Sequence, residues 1–328
     1  MLKPSCFFVL FALCLPVLSC QVSETNTQES TEPVPPTSPS GKVDSWIYAE
    51  APNAITRNII QDRAGNIWFA TFNGAIKFDG REYTNMTLGI IDHRFFSVLE
   101  DQKGHIWFGT IGGGVYQFDG QTFKNFTTED GLVDNQVTNI YEDRSGKLWF
   151  GTLAGISVYE NGHFKNYHIE YGKLNDDVNT IIEDEEGTFW IGTRGYAFQY
   201  DGTSFTKLRN HEGKGFGNVR HIIKDRSGNM WWGGNDGLWR YDGKRFKQFT
   251  SDFVGYLYED RAGNIWTSSH SSKSHWWALS RYDAHTLEEE EPTVTEVITE
   301  ERMFFGILED QEGVIWAGCL DGVYRYKE

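Results

Sequence analysis

One segment of the 328-residue chain combines indole rings with polar side chains in a way that suits a sugar. In TSSHSSKSHWWALSRYD, residues 267–283, the paired Trp276 and Trp277 follow His270 and His275 in a serine-rich stretch. An exposed indole offers an apolar plate for a sugar ring, and neighbouring polar groups can bond its hydroxyls. We therefore take these four residues as candidate ligand contacts. The alternative is that one of the two tryptophans, Trp276 or Trp277, simply begins the third strand and packs inside.

A second candidate set lies where the chain leads into each predicted inner strand. Its members differ in kind from repeat to repeat, as an asymmetric pocket requires. The set is Arg57, His93, Arg94, Asn135, Asp177, Asn179, Arg220 and Arg302. The four arginines together could hold a carboxylate or sulfate bidentately on an otherwise acidic protein. The alternative is that they pair with acidic residues at the rim.

The sequence shows no cluster of nucleophile, base and orienting group. Its histidines lack the H-E-x-x-H spacing, and His270 with His275 in a serine-rich loop makes a poor metal site. We therefore predict no catalytic residue, no metal and no cofactor. This favours binding over catalysis.

Charge and cysteine content limit the possible partners and cross-links. Thirty Lys and Arg against 46 Asp and Glu give a net charge of −16, which predicts repulsion of nucleic acid and of anionic lipid headgroups. Of four cysteines, only Cys319 lies in the predicted folded domain, so no disulfide framework is expected there. Cys319 takes the place of Thr110 and Thr152 in the aligned repeats and is predicted to be a buried neutral thiol.

The elements that must position these residues follow a repeat, D-x-x-G-x-apolar-W. Its first copy, DRAGNIW at residues 62–68, recurs letter for letter at residues 260–266. The seven copies begin at Asp62, Asp101, Asp143, Asp184, Asp225, Asp260 and Asp310. Their spacing of 35 to 50 residues is typical of propeller blades.

Each repeat predicts one four-stranded antiparallel blade. A short apolar strand precedes the Asp, which can accept backbone N–H bonds, and the glycine three positions later tolerates a positive φ. The apolar-Trp pair starts a second strand whose indole fills the space between blades, and two further strands follow. We predict an all-β, seven-bladed β-propeller over residues 42–328. VDSWIYAE, residues 43–50, is predicted to close the ring as the outer strand of the last blade.

The first 41 residues differ from the rest. A short positive start and an apolar run ending at Leu18 indicate a secretion signal, too short to span a bilayer. The small residue before Cys20 resembles a bacterial lipoprotein signal, which implies a signal peptide over residues 1–19 and lipid attachment at Cys20. By the same resemblance Gln21 favours the outer membrane; the alternative is an ordinary signal peptide cut near Ser19. Residues 20–41, rich in Ser, Thr, Pro and Glu, predict a disordered tether.

The repeats, written I-x-E-D-x-x-G-x-I-W-F-G-T followed by G-V-Y-x-F-D-G, resemble the two-component regulator propeller repeats found in extracellular sensor regions of bacterial hybrid histidine kinases. The resemblance covers about residues 43–328. It implies a periplasmic ligand-sensing module, often one associated with glycan use. No kinase or regulator domain follows, so we expect a stand-alone lipoprotein that acts with a partner signalling or uptake protein.

The leading hypothesis is therefore a membrane-tethered propeller that binds or senses a ligand such as a glycan fragment. Similar repeats also occur in streptogramin lyases, and that resemblance implies a general base and a divalent cation at the channel mouth. His93 or His221 with Asp177 are the candidates for such a site. A third hypothesis is a protein-interaction scaffold that binds no small molecule.

Overall fold

The structure is a computed structural model that describes residues 52–170 and 173–327. Within these residues the chain forms seven antiparallel sheets, six of four strands and one of three. The strands of each sheet are hydrogen bonded in chain order, so each blade is a simple meander. The predicted all-β, seven-bladed propeller is confirmed.

Each blade runs outward from the strand that precedes the repeat Asp, and these first strands contact one another around the ring. The innermost strands are β1 (Thr56–Gln61), β5 (Arg94–Glu100), β9 (Val137–Glu142), β13 (Val178–Glu183), β17 (His221–Lys224), β21 (Val254–Glu259) and β25 (Ile307–Glu309). The second strands are β2 (Ile67–Thr71), β6 (Ile106–Ile111), β10 (Leu148–Thr152), β14 (Phe189–Thr193), β18 (Met230–Gly234), β22 (Ile265–His270) and β26 (Ile315–Gly318).

The third and outer strands complete the blades. The third strands are β3 (Gly74–Phe78), β7 (Val115–Phe118), β11 (Gly155–Glu160), β15 (Ala197–Tyr200), β19 (Gly237–Tyr241), β23 (Trp277–Tyr282) and β27 (Val323–Tyr326). The outer strands are β4 (Tyr83–Asn85), β8 (Phe123–Phe126), β12 (His163–Tyr167), β16 (Phe205–Lys207), β20 (Phe246–Thr250) and β24 (Val294–Glu300).

Helical structure in the described residues is confined to three-residue 3-10 turns. These are Thr128–Asp130, Leu174–Asp176 and Ala284–Thr286. In this part of the chain no helix has the length and apolar character needed to cross a membrane.

A buried hydrogen bond joins the repeat Asp and Trp in every blade. The indole Nε1 donates to Oδ2 of the Asp six residues earlier at 2.7–2.8 Å. The other carboxylate oxygen accepts the backbone N–H four residues after the Asp. The glycine between them has a positive φ, as in Gly65 at 91°. One side chain thus fixes both the turn and the indole.

The indoles then fill the space between blades, as predicted. Trp68 of the first blade packs with Phe95 and Phe108 of the second. Trp316 of the seventh blade meets Phe69 of the first, with ring centroids 5.7 Å apart. Aromatic rings in such positions each bury about 150–250 Å² and dominate the energy of the core.

Hydrogen bonds from an arginine also join neighbouring blades. In four blades the residue after the repeat Asp is an arginine whose guanidinium donates to the backbone carbonyl of the next blade's repeat Asp. The backbone N–H of that arginine donates to the Glu that ends the next innermost strand. Between the fourth and fifth blades the two charges have changed places. Glu185 follows the repeat Asp, and Lys224 ends the next innermost strand, with its Nζ 3.3 Å from Glu185 Oε1.

The ring closes between the seventh and first blades. Thr56 N donates to Cys319 O at 3.0 Å, and Gly306 N donates to Arg57 O at 3.1 Å. Four predicted features lie outside the described residues: the closing strand at residues 43–50, the signal at 1–19, the lipid site at Cys20 and the tether at 20–41.

Candidate functional site

One residue of each blade stands at the mouth of the central channel, five positions before the repeat Asp. We call these seven residues the mouth ring: Arg57, Phe96, Thr138, Asn179, Arg220, Gly255 and Phe305. In five blades the register between the innermost and second strands shifts at this residue. A β-bulge of this kind takes one residue out of the ladder and re-aims its side chain. The whole mouth ring lines the channel cavity.

The channel is positively charged inside an acidic protein. Its cavity has a volume of about 510 Å³. Among the described residues that line it, Arg57 and Arg220 carry full charges, and none is Asp or Glu. The chain as a whole has a net charge of −16. The cavity therefore suits a negatively charged group.

The guanidinium of Arg57 lies over two aromatic rings. Its Cζ lies 4.3 Å from the ring centroid of Phe96 and 4.0 Å from that of Phe305. Its Nε is shielded from solvent and has no hydrogen-bond partner among the described residues. Burial, reinforced by the positive charge of Arg220, lowers the pKa of Arg57 to about 9. The surroundings thus disfavour the cation that they position.

Arg220 stands near a carboxylate that is already paired. Arg194 Nη1 lies 3.2 Å from Asp177 Oδ2, and burial raises the pKa of Asp177 against the effect of that arginine. Burial also lowers the pKa of Arg220, and Asp177 only partly opposes this. No hydrogen bond or ion pair from the Arg220 side chain to a described residue is present. Asp177 thus belongs to the edge of the site, and Arg220 to its interior.

The remaining polar members of the mouth ring also bind the scaffold. Asn179 Nδ2 donates to Val219 O of the next blade at 2.9 Å. Thr138 Oγ1 donates to Gly151 O at 3.0 Å and to Val178 O of the next blade. Both can still offer an oxygen to a ligand, but their orientation is set by contacts between blades.

Residues that directly follow members of the mouth ring in the chain also line the cavity, among them Asn58, His221 and Tyr256. Asn58 Nδ2 donates to Tyr256 Oη at 2.9 Å, and Tyr256 stacks on His221 with centroids 3.9 Å apart. His221 Nδ1 accepts the backbone N–H of Leu257 at 3.3 Å. Burial lowers the pKa of His221 to about 4, so its imidazole is neutral at neutral pH. The imidazole therefore acts in the scaffold as a hydrogen-bond acceptor.

Four predicted residues lie on the rim rather than in the channel. Exposed Arg94 stacks on Phe72, 5.3 Å from Cζ to centroid, and exposed Arg302 pairs with Asp321. His93 packs against Gly113 in its own blade. Asn135 Oδ1 accepts the backbone N–H of Thr128 at 2.9 Å. Two of the four predicted arginines thus share the channel, and two do not.

The insertion in the sixth blade folds along its own outer strand. The hydroxyls of Ser271 and Ser272 and the backbone N–H of Ser272 donate to Glu296 in β24. Lys273 Nζ lies 3.8 Å from the same carboxylate. The polar groups of Ser271, Ser272 and Lys273 are therefore already paired with Glu296, and a ligand would contact mainly the aromatic rings of the insertion.

Those rings form a cluster that reaches the channel mouth. Trp277 is the first residue of β23 and packs against the core, as the alternative interpretation held. It also contacts His270, 4.3 Å between centroids, and Phe253, 5.8 Å. Phe253 lies close to Gly255 of the mouth ring. Trp276, the preceding residue in the chain, is half-buried, whereas His275 is exposed.

The structure does not assemble a metal or acid-base centre from the predicted candidates. His93, His221 and Asp177 make no contact with one another. Within residues 52–170 and 173–327 no three His, Cys, Asp or Glu side chains are grouped so as to hold a metal ion. Cys319 is a buried free thiol whose Sγ donates to Asp321 Oδ1 at 3.1 Å, and burial raises its pKa to about 12, as predicted.

The sequence analysis missed four members of the mouth ring, namely Phe96, Thr138, Gly255 and Phe305. A usable signal was present, because every member stands five residues before a repeat Asp. The apolar character of Phe96 and Phe305 hid them from a search for polar ligand contacts.

Comparison with known families identifies the repeat. Residues 50–73, 89–112, 131–154 and 172–195 match the model of the two-component regulator propeller. The chain carries two-component regulator propeller repeats. Each match covers the innermost and second strands of one of the first four blades. No curated protein matches the sequence at a significant level.

Solved structures show the same fold in several proteins. The extracellular domain of a hybrid two-component system from B. thetaiotaomicron has a TM-score of 0.69 and 23% identity, and the match covers 84% of this chain and 39% of that one. Virginiamycin B lyase from Staphylococcus aureus has a TM-score of 0.67 and 14% identity, covering 84% and 96%. PorZ, a surface component of the type-IX secretion system of Porphyromonas gingivalis, has 0.61 and 16%, covering 84% and 46%. At these identities the likeness shows the fold alone.

Proposed function

We propose that this protein is a sensing propeller of the cell envelope that captures a ligand at the channel mouth. The observation that carries the proposal is a contrast within the repeats. The Asp and Trp that build the scaffold are identical in all seven blades, whereas the mouth ring contains arginine, phenylalanine, threonine, asparagine and glycine. A purely structural ring has no need of such variation, while a pocket that recognises one asymmetric molecule does.

The ligand that we propose is a glycan fragment. The cluster of Trp277, His270 and Phe253 offers aromatic surface next to the channel, and the half-buried Trp276 precedes Trp277 in the chain. Sugar rings stack on such surfaces, and the polar members of the mouth ring would bond hydroxyls. The regulator repeat supports a sensing role for this binding.

For location and output, the proposal follows the N-terminal sequence. Secretion through residues 1–19 and a lipid on Cys20 would place the propeller in the envelope, with residues 20–41 as its tether. The ligand-bound propeller would then act on a signalling or uptake partner. The likeness to an extracellular domain of a two-component system is consistent with such a place.

A thermal-shift screen of the purified protein against a panel of oligosaccharides tests the glycan proposal. We expect one sugar to raise the Tm of the parent, and the Trp276→Ala variant to lose that shift while keeping the parent's own Tm. Leu320→Ala is the matched control, because Leu320 is an exposed apolar residue in the corresponding loop of the next blade.

Two outcomes would count against the proposal. If no sugar shifts the parent, glycan capture is wrong and a protein-docking propeller replaces it. If the sugar shifts Trp276→Ala as much as the parent, Trp276 is not part of the binding site.

A further inference from the structure

Arg57 and Arg220 line the channel, and neither guanidinium has a hydrogen bond or ion pair to a described residue. We propose that the mouth ring anchors its ligand by a carboxylate, with Arg57 and Arg220 as the donors. The inference rests on the proposed function, because it names the chemical group by which the ligand of that site is held.

Arg57 is a buried cation without a hydrogen-bond partner among the described residues. Its Cζ lies over the rings of Phe96 and Phe305. No side-chain N–H of Arg57 donates a hydrogen bond to a described residue; its Nε is fully shielded from water, so the terminal Nη groups are the donors that a ligand can reach. A buried donor without an acceptor is costly, and a buried unpaired charge more so. The protein positions a cation here and leaves its partner to be supplied.

The charged residues near Arg57 increase the cost of leaving its guanidinium unpaired. Arg220 lines the same cavity, and its charge repels that of Arg57. The described lining contains no carboxylate that could offset either arginine. Asp177, the acidic group whose field reaches Arg220, is already paired with Arg194. An anion between the two arginines would offset both the cost of burying their charges and the repulsion between them.

The kind of anion follows from the shape of the donor. The guanidinium is planar, and its two Nη groups offer parallel N–H bonds that match the two oxygens of a carboxylate. The aromatic cluster of the sixth blade lies next to the same mouth, so an acidic sugar would satisfy both surfaces.

The direct test follows Arg57 itself by NMR. The 15Nε–H resonance of Arg57, assigned by its loss in Arg57→Met, is monitored while the purified protein is titrated with sodium acetate. Acetamide, which has nearly the same shape and no charge, is titrated in parallel, and sodium sulfate tests a tetrahedral anion. We expect acetate to move the resonance saturably and acetamide to leave it unchanged. Equal responses to acetate and acetamide, or no response to acetate, would overturn the proposal; a stronger response to sulfate would overturn the carboxylate assignment.

Variants separate a binding role from a structural one. Arg57→Met and Arg220→Met should each weaken acetate binding, followed by the 15Nε–H resonance of the arginine that remains, by about 30-fold or more, since one partner of a buried charge pair is lost. Arg94→Met is the matched control, because Arg94 also stacks on a phenylalanine but lies exposed outside the channel. Without acetate, Arg57→Met should match or exceed the parent's Tm, because an unpaired buried charge has been removed. If Arg57→Met lowers the Tm clearly but still binds acetate as the parent does, Arg57 has only a structural role between the blades.

The two proposals fail in different ways. If acetate binds through Arg57 but no oligosaccharide shifts the Tm, the anion site stands and glycan sensing falls. If a neutral oligosaccharide binds and Arg57→Met retains it, glycan sensing stands and the carboxylate anchor falls.

Discussion

At the scale of single residues, the bond between Asp and Trp explains why this pair recurs seven times. A phenylalanine would fill the space between blades almost as well, but it could not donate to the buried carboxylate six residues earlier. The sequence pattern predicted the turn and the packing of the indole. It did not reveal the bond that joins them, which is a property of their geometry.

Replacing Trp231 by phenylalanine tests this bond. Asp225 Oδ2 would keep Asn229 Nδ2 as a donor but lose Trp231 Nε1 at 2.8 Å. A buried carboxylate deprived of a donor costs about 1–3 kcal/mol. We expect the free energy of unfolding, measured by urea titration, to fall by this amount beyond the cost of the lost volume.

The neighbouring residue provides the control. Trp232 is equally buried, but its Nε1 has no hydrogen-bond partner among the described residues. Trp232→Phe removes the same volume from the same strand without breaking a bond, so it should cost clearly less. Equal losses in the two variants would mean that the indole ring, and not its N–H, is what the repeat requires.

At the scale of elements, the innermost strands are joined across blades by side chains four residues before the repeat Asp. Asn58 and Asn139 accept the backbone N–H of the next innermost strand, each at 3.0 Å, and His221 takes the same place between the fifth and sixth blades. His221 is the one acceptor of the three that can titrate. The contact between those blades should therefore depend on pH.

The pH dependence has a definite sign. The pKa of His221 is about 4 in the folded protein, below its usual value of 6.5, so the unfolded chain binds the proton more readily between these values. Stability must then fall as the pH drops from 6.5 towards 4, by about 3 kcal/mol in full. Above pH 6.5 this group contributes no pH dependence.

His221→Asn should remove this dependence, because asparagine supplies the same acceptor in two other blades. We expect the stability of the parent, relative to the variant, to decline by about 2–3 kcal/mol between pH 7.5 and pH 4.5 in urea titrations. Carboxylates titrate alike in both proteins, so the difference isolates His221. Parallel pH profiles would show that folding does not lower the pKa of His221.

At the scale of the whole molecule, stability depends on joining the ends of the ring. Gly306 of the seventh blade approaches the backbone of β1 closely, and a Cβ there would lie 2.8 Å from Asn58 Cα and 2.9 Å from Ile59 N. Backbone atoms cannot yield as a flexible side chain would. The close approach is therefore a condition of closure.

Gly306→Ala should push the first and seventh blades apart. We expect a loss of about 1–3 kcal/mol from overpacking, together with faster amide hydrogen exchange in β1 and β25 than in β13. Gly217→Ala is the control, because a Cβ there would meet only Asp236 Oδ2, at 3.4 Å, and Gly195 O at the limit of contact. If exchange rises evenly over all blades, or not at all, the contact at Gly306 does not control closure.

The blade count, the class of fold and the buried state of Cys319 could all be predicted from the amino-acid sequence. These follow from interactions within a few residues, since each Asp, Gly and Trp act within one hairpin and repeat seven times. It also selected Arg57, Asn179 and Arg220 for the channel, because they immediately precede apolar strand segments. It could not separate them from Arg94 and Arg302, which occupy similar positions in the sequence.

Which side chains share one space is a property of the tertiary structure. The bulges that re-aim the mouth ring depend on how seven strands meet at an axis, and the partners of Arg57 come from the second and seventh blades, 39 and 248 residues away. A repeat records what all blades have in common, and that is the scaffold. The site consists of what the blades do not share, and it exists only when the closed ring brings those differences together.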